Sequence, residues 1–368
     1  MNPLFLKGRH FFEDLNSEPR SELNLVVVTH LLGTAPAYLE ALQGFARIAL
    51  ILPKPRSINP QVLETIEQRF PVQLKKRAQI ESVEVLAAII NDAVTEGDLI
   101  LVDIGGYFAA AIGALPERLR ARLRGVVEVT ENGLKRYQVL SDLPVPVVSI
   151  ARSPLKGPED YLTGQSIVYS AEALMRECQQ IMNGGYAVVF GYGKIGRSIA
   201  KALHAKNINT KIVEIDPVRA IEARSRGFDL ISKERALERS DVIFCATGNQ
   251  SLSNHDFTRI KNGAFLFSVT SSDDELDLSR AEGCFEQTPV SAHITRYQRL
   301  GQYFYLANRG NAINFIHQAE VGPYIFLVQG EVIKAINYLQ REALTNAIQE
   351  LPDSIRQELA QSWLSHFA

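Results

Sequence analysis

Cysteine is scarce in this chain. Cys178, Cys245 and Cys284 are the only three among 368 residues, and they lie too far apart for a disulfide framework. No CxxC pair or neighbouring histidine cluster accompanies them, so no zinc site is expected, and a reducing compartment fits. A dominant charge is also missing. With 39 basic and 41 acidic side chains, a net charge of −2 and a pI near 6.4, nothing draws the chain to nucleic-acid phosphates or anionic lipid. Nucleic acid and membrane are therefore set aside as partners. No apolar run approaches the roughly 20 residues of a membrane span, and MNPLFLKGRHFFEDLNSEPR has no apolar core of signal-peptide length. The expectation is a cytoplasmic protein. What is present is an ordinary globular composition, 46% apolar and 22% charged, in a chain long enough for two cores.

From residue 24 to 150, short Val- and Ile-rich runs alternate with helix-like segments: LNLVVVTH, ARIALILPK, DLILVDIGG, RLRGVVEVT and VPVVSIA. Runs of that length bounded by Gly or Pro read as buried parallel strands joined by crossover helices. PLKGPED interrupts the series, and a second one follows with YAVVF, TKIVEID, FDLI, DVIFCATG and GAFLFSVTS. Past residue 316 helical spacing returns, with a long helix expected near Pro323. The fold class expected is α/β: a Rossmann domain inserted in a second, discontinuous α/β domain. The expected boundaries are 1–155, 156–318 and 319–368, the last a helical return to the first domain.

The stretch YAVVFGYGKIGRSIAKAL carries the clearest chemistry. Gly191, Gly193 and Gly196 follow a strand and open a helix in the spacing of a dinucleotide fingerprint. The first allows a tight turn, the second lets backbone approach a pyrophosphate, and the third lets helix and strand pack closely. Lys194 and Ile195 lie inside this turn and are taken as part of the cofactor site. Glu214 ends the next strand, 23 positions after Gly191, where a carboxylate accepts both ribose hydroxyls and would repel a 2′-phosphate. NAD is therefore expected over NADP, with Arg219 as the complication. Thr247 and Gly248, at the end of another strand, are placed beside the cofactor by the switch-point rule, with a plain turn as the alternative.

Together with GVVEVTENG, LKGPEDYLTG, VEIDPVRA, CATGN and FSVTSSDDELD, this fingerprint resembles the S-adenosylhomocysteine hydrolase family. The likeness is closest over residues 125 to 315. It implies an outer substrate domain around an inserted NAD domain, and a dimer formed through the cofactor domain. It also implies a reaction in which NAD takes hydride from C3′ of a ribose, the 5′ thiolate is eliminated from the ketone, water adds and the hydride returns.

Carried over residue by residue, the resemblance divides. Lys156 and Asp160 match the family's lysine and aspartate at the ribose hydroxyls, and His30 matches its histidine near C5′. Desolvation could make Lys156 a base at neutral pH. The alternatives are a helix first turn that favours Glu159 and Asp160 through its dipole, and a satisfied structural histidine at His30. Thr130 and Asn132 match the family's threonine run at NAD and keep hydroxyl and amide donors, and Asn314 matches its asparagine near the nicotinamide carboxamide. Against these, Val129 and Ile104 stand where the family has a glutamate and an aspartate, Ser271 where it has a histidine, and Tyr161 and Gln165 where it has asparagine and cysteine. Valine and isoleucine transfer no protons. The family's C-terminal arm, which reaches a neighbour's NAD, has no counterpart before Ala368, so a grip made within one subunit is expected.

What the resemblance implies is hydride transfer at a secondary alcohol of a nucleoside-like small molecule, with hydrolysis by reassigned acid and base groups or silent NAD or nucleoside binding as alternatives. The arginines of RLRARLRG read as a solvated rim. Trp363 is expected to pack the last helix. The run Asp273, Asp274, Glu275 reads as solvated, and no metal is expected.

Overall fold

The computed structural model describes residues 3–15, 21–253, 255–270, 275–318 and 321–368. The chain divides into two compact units, one made of residues 1–157 and 322–368, the other of 158–321.

The first unit is built on a parallel sheet. Its strands are β1 (Asn24–Leu31), β2 (Arg47–Ile58), β3 (Leu99–Asp103), β4 (Leu123–Glu128) and β5 (Val147–Ser149), in the order β5-β4-β3-β1-β2. Alternation of side chains lets one apolar run fill two cores: Leu25, Val27 and Leu31 of β1 face one cluster, while Val26 and Val28 face the other. The chain returns to this unit as the helix Tyr324–Arg341, capped at Pro323 where the sequence placed its start. A two-residue strand, Ile348–Gln349, then extends the sheet beside β5. In the last helix, Asp353–Phe367, Trp363 stacks on Tyr324 at 5.0 Å and donates from Nε1 to the Pro323 carbonyl at 3.0 Å. Arg356 from the same helix reaches the fully buried Glu331 at 3.2 Å.

The second unit holds β6 (Tyr186–Phe190), β7 (Asn209–Val213), β8 (Asp229–Leu230), β9 (Val242–Cys245), β10 (Ala264–Ser268) and the meander β11 (Glu286–Pro289), β12 (Ile294–Arg299), β13 (Gln302–Ala307). Their order is β11-β12-β13-β10-β9-β6-β7-β8, with only the β11-β12-β13 pairings antiparallel. The core order is that of a doubly wound dinucleotide fold, with its switch point between β6 and β9. The meander was not foreseen from sequence. Its tight turn, Leu300-Gly301, puts both residues at positive φ (47° and 84°), and the leucine hides a conformation that Asn-Gly would have announced. Among the described residues, no helix is long and apolar enough to cross a membrane.

Candidate functional site

In the second unit, β6 delivers the chain into the glycine turn at the switch point. Gly191 adopts φ 89°, and a Cβ added there would lie 2.8 Å from the Ala246 carbonyl, in the loop after β9. At Gly196 an added Cβ would fall 2.0 Å from the Gly191 carbonyl, so turn and helix Lys194–Ala205 close tightly on each other. Gly193 differs. Only Arg219 Nη1, at 3.7 Å, comes near its added Cβ, so the face between turn and helix start stays open to a ligand. Glu214, just past β7, accepts from the Tyr192 amide at 2.6 Å and from the Ile215 and Asp216 amides at 2.8 and 2.9 Å. A carboxylate has about four acceptor positions, so one remains for a ribose hydroxyl.

Lys194 is exposed at the helix start, with its Nζ 3.2 Å from Asp160 Oδ2, while Ile195 packs against the unit's core. Arg219 stays on the surface near Asp216 at 3.6 Å. Thr247 and Gly248 are held by Glu275. Its carboxylate accepts from the Thr247 amide (3.0 Å) and hydroxyl (2.8 Å), the Gly248 amide (2.6 Å) and the Thr270 hydroxyl (2.9 Å). Glu275 is 0% exposed, which corrects the reading of that acidic run as solvated; Asp273, Asp274 and Ser271 lie outside the described residues. Asn314 follows a bridge between Ala312 and Ser268, at the carboxyl end of β10, and is buried with no hydrogen-bond partner for its Oδ1 among the described residues. Tyr161 and Gln165 are exposed on helix Gly157–Glu177.

In the first unit, the carboxyl ends of β1, β2 and β3 gather a second set of groups. His30 is half-buried and its Nδ1 hydrogen-bonds the Ser57 hydroxyl. Burial, then the ammonium groups of Lys54 and Lys156, hold its pKa well below the usual histidine value, so the ring is neutral at pH 7. Lys156 closes the short turn Pro154–Lys156, half-buried, its amide bonded to the Ser153 carbonyl at 3.2 Å. Two carboxylates lie wholly inside. Asp103 accepts from the amides of Tyr107 (2.9 Å) and Phe108 (3.2 Å) and from the Tyr137 hydroxyl (2.7 Å). Glu128 accepts from the amides of Gly105 (3.2 Å), Gly106 (3.0 Å) and Thr130 (2.7 Å) and from the Thr130 hydroxyl (2.8 Å). Burial, with the charge of Asp103, pushes Glu128 up to about 8. Thr130 Oγ1 also caps helix Glu131–Gln138 by accepting the Gly133 amide at 3.1 Å, so its one proton is committed to Glu128 and the hydroxyl offers a ligand only acceptance. Asn132 is half-buried in that helix's first turn. Val129 and Ile104 pack against the unit's apolar clusters.

A family model described as "S-adenosyl-L-homocysteine hydrolase, NAD binding domain" matches residues 161–316. The adenosylhomocysteinase of Thermotoga maritima is 28% identical over 334 residues, covering 86% of this chain and 80% of that protein. For the adenosylhomocysteinase of Pyrococcus abyssi the figures are 27% identity, 98% and 86%. Over residues 161–316 the chain matches the NAD-binding domain of the S-adenosyl-L-homocysteine hydrolases, and over most of its length it is similar to adenosylhomocysteinases. The S-inosyl-L-homocysteine hydrolase of Methanopyrus kandleri is 26% identical, covering 96% of this chain and 90% of that protein. Among solved structures, the dipicolinate synthase A chain of Bacillus subtilis aligns with a TM-score of 0.46 at 12% identity, over 88% of this chain and 98% of that one.

NAD is the cofactor of the matched domain, and the residues present fit it. The crowding at Gly191 and Gly196, the open face at Gly193, the spare acceptance of Glu214 and the orphan Oδ1 of Asn314 are the features of a preformed dinucleotide cradle. In the second unit the fold gathers the glycine turn, Glu214, Arg219, the Thr247–Gly248 loop, Asn314 and Asp160. His30, Lys156, Thr130 and Asn132 belong to the first. Sequence reasoning missed Glu275, because a carboxylate in a run of three looks solvated. The charge that Lys54 places beside His30 was also missed, since a lysine between two prolines looks like an ordinary turn.

Proposed function

We propose that this chain is an NAD-dependent enzyme that transfers hydride at a secondary alcohol, a ribose-like hydroxyl of a nucleoside or related small molecule. NAD, when bound, supplies the hydride acceptor. Lys156 takes the alcohol proton, Asp160 orients the hydroxyl, and the neutral imidazole of His30 relays a proton, its ring fixed by Ser57. The observation that carries this reading is the apolar packing of Val129, which is buried, and of Ile104, which is half-buried against the same clusters. Two positions where the family resemblance implies proton-handling carboxylates carry hydrocarbon packed on apolar clusters, whereas the lysine and aspartate that the same resemblance implies are present as Lys156 and Asp160.

Incubation of the full chain with NAD and a panel of nucleosides, followed by nicotinamide absorbance, tests the proposal. Reduced cofactor appears with at least one substrate and is lost in Lys156→Ala. No reduction with any substrate, bound or released, would falsify the hydride-transfer reading. Release of adenosine or inosine from the corresponding homocysteine thioether, which the names of the relatives suggest as the second reading, would show that other groups complete the elimination.

A further inference from the structure

In the second unit the helix Lys233–Arg239 has seven residues, about 10 Å of length, too little to cover the sheet face on which it packs. Its Ala236 and Leu237 close over Val188 and Phe190 of β6 in one apolar cluster. Residues paired across neighbouring strands point the same way, and side chains alternate along each strand. The register of Tyr186 with Asn209 and of Val188 with Lys211 therefore puts Tyr186, Asn209 and Lys211 on this same face, at the amino ends of β6 and β7. There the helix stops short, and a crevice of about 590 Å³ is left, lined by these three, by Arg235 and Arg239 from the helix, and by Leu230, which is 42% exposed. The Lys211 ammonium stands 5.8 Å from the Tyr186 ring centroid.

Three cations line this crevice and no carboxylate does. Arg235 and Arg239 are four residues apart, so they are neighbours on one helix face and repel each other. Both are exposed, and among the described residues neither guanidinium makes an ion pair or a hydrogen bond. The carboxylates nearby are engaged elsewhere. Asp229 lies between Lys211 at 3.5 Å and Arg224 at 2.5 Å, so Lys211 has only a shared counter-charge. Asp241 meets Lys261 at 2.5 Å and accepts from the Tyr186 amide at 2.9 Å. Glu234 is bonded to the Ser232 hydroxyl and faces Arg259 and Lys233, and Glu238 bonds neither arginine. Burial raises the Tyr186 hydroxyl and the Arg239 charge opposes that rise, so the guanidinium acts on the crevice floor. Isolated surface arginines are ordinarily just solvated, but a concave wall of one sign concentrates its field on whatever enters, and the guanidinium fork matches phosphate oxygens in pairs.

We propose that this crevice binds a small organic phosphate, its phosphoryl oxygens held by Arg235, Arg239 and Lys211 and its body resting on the Tyr186 ring and Leu230. The site is separate from the dinucleotide cradle. Gly191 follows the far end of β6, five residues and about 15 Å along the strand from Tyr186. The volume exceeds that of a bare phosphate, and the aromatic ring and exposed leucine give an organic group something to cover. The inference goes beyond the proposed hydride transfer and does not depend on it.

The test is calorimetric titration of the full chain, in saturating NAD to fill the cradle, with inorganic phosphate, adenosine 5′-monophosphate and adenosine at low and high salt. Both phosphates bind, the monophosphate more tightly, and both weaken as salt rises. Replacing Arg235 and Arg239 together by Gln lowers the affinity for the monophosphate about tenfold or more, and Arg239→Lys alone recovers only part, because an ammonium cannot offer the paired donors. Both arginines are exposed, so the variants keep the melting temperature of the ligand-free protein. Any binding of adenosine is untouched by them, and Glu214→Gln, in the cradle, leaves phosphate binding as it was. The proposal is overturned if neither phosphate binds, if binding survives loss of both arginines, if Arg239→Lys matches wild type, or if Glu214→Gln abolishes it, which would place the probe in the cradle. Nicotinamide reduction is not read, so the result leaves the hydride-transfer reading where it stands.

Discussion

Removing the carboxylate of Glu275 should loosen the cofactor loop of the second unit even though the residue need not touch the cofactor. It accepts four hydrogen bonds, two from the backbone amides of Thr247 and Gly248 and two from the hydroxyls of Thr247 and Thr270. Hydrogen bonds to a charged group contribute about 1.5–3 kcal/mol each, but they are not additive, and a hydroxyl can turn elsewhere. The amides cannot. Two amides deprived of their acceptor cost about 1–3 kcal/mol apiece, so Glu275→Ala is expected to destabilise the second unit by roughly 3 kcal/mol. The informative variant is Glu275→Gln, which keeps the volume but points an NH2 at groups that are themselves donors. If the carboxylate matters, Gln is nearly as damaging as Ala; if only volume matters, Gln is benign. Native-state hydrogen exchange of the β6 and β9 amides gives the stability of this unit directly, and titration with NAD should show affinity reduced about tenfold or more. A Glu275→Gln protein within about 0.5 kcal/mol of wild type, with unaltered NAD affinity, would refute the reasoning.

The glycines of the turn should separate folding from binding. Gly196→Ala, whose Cβ would fall 2.0 Å from the Gly191 carbonyl, lowers the melting temperature of the cofactor-free protein, whereas Gly193→Ala leaves it unchanged and weakens only the rise caused by NAD. Arg356→Met strands the fully buried Glu331 carboxylate without its cation and should cost about 3–5 kcal/mol in the first unit, followed by fluorescence of Trp363, the single tryptophan. Glu128 is raised from 4.5 to about 8, so the folded first unit binds a proton that the unfolded chain releases near 4.5. Its contribution is fully present below about 4.5 and is lost as pH rises through about 8, on the order of 5 kcal/mol in all. Urea midpoints of wild type and Glu128→Gln across that window should show the fall in the former and a flatter profile in the latter.

The parts of this fold that were legible in sequence are those where local chemistry and tertiary need coincide. A run such as NLVVVTHL suits a strand buried on both faces, and it forms one; the glycine spacing suits a phosphate turn, and the turn closes at Gly191 and Gly196 as the spacing requires. What stayed hidden depended on partners distant in sequence. Leu300 at positive φ is unreadable without the β12-β13 pairing that imposes it, and the two-residue strand Ile348–Gln349 exists only because β5 offers a free edge. Glu275 looks solvated until the loop 28 residues earlier arrives to be held. The approach of Lys54 to the glycine turn after β3 likewise depends on strands distant in sequence. Asp160 shows the same limit: its place in a helix first turn was readable, but its pairing with Lys194 required the fold.

The ends of β3 and β4 show how such a protein can change its chemistry without endangering its fold. In VDIGG and VEVTE the two kinds of position are neighbours, and adjacent residues of a strand point to opposite faces. Asp103 and Glu128 face inward, where seven donors depend on them, and Gly133 makes room, since a Cβ there would fall 2.1 Å from the Glu128 carboxyl carbon. Replacing either would orphan buried amides at a cost comparable to much of a domain's stability. Ile104 and Val129, one residue further on, carry no such obligation. A β-branched side chain there suits the strand end and gains apolar contact with the clusters, so loss of a carboxylate at these two positions brings no folding penalty. Substituting Glu at 129 or Asp at 104 should therefore lower stability by about 1–3 kcal/mol through desolvation of an added charge. If the double substitution were neutral in stability, those sites would have to be solvated, and the case for a lost elimination step would lose its physical basis.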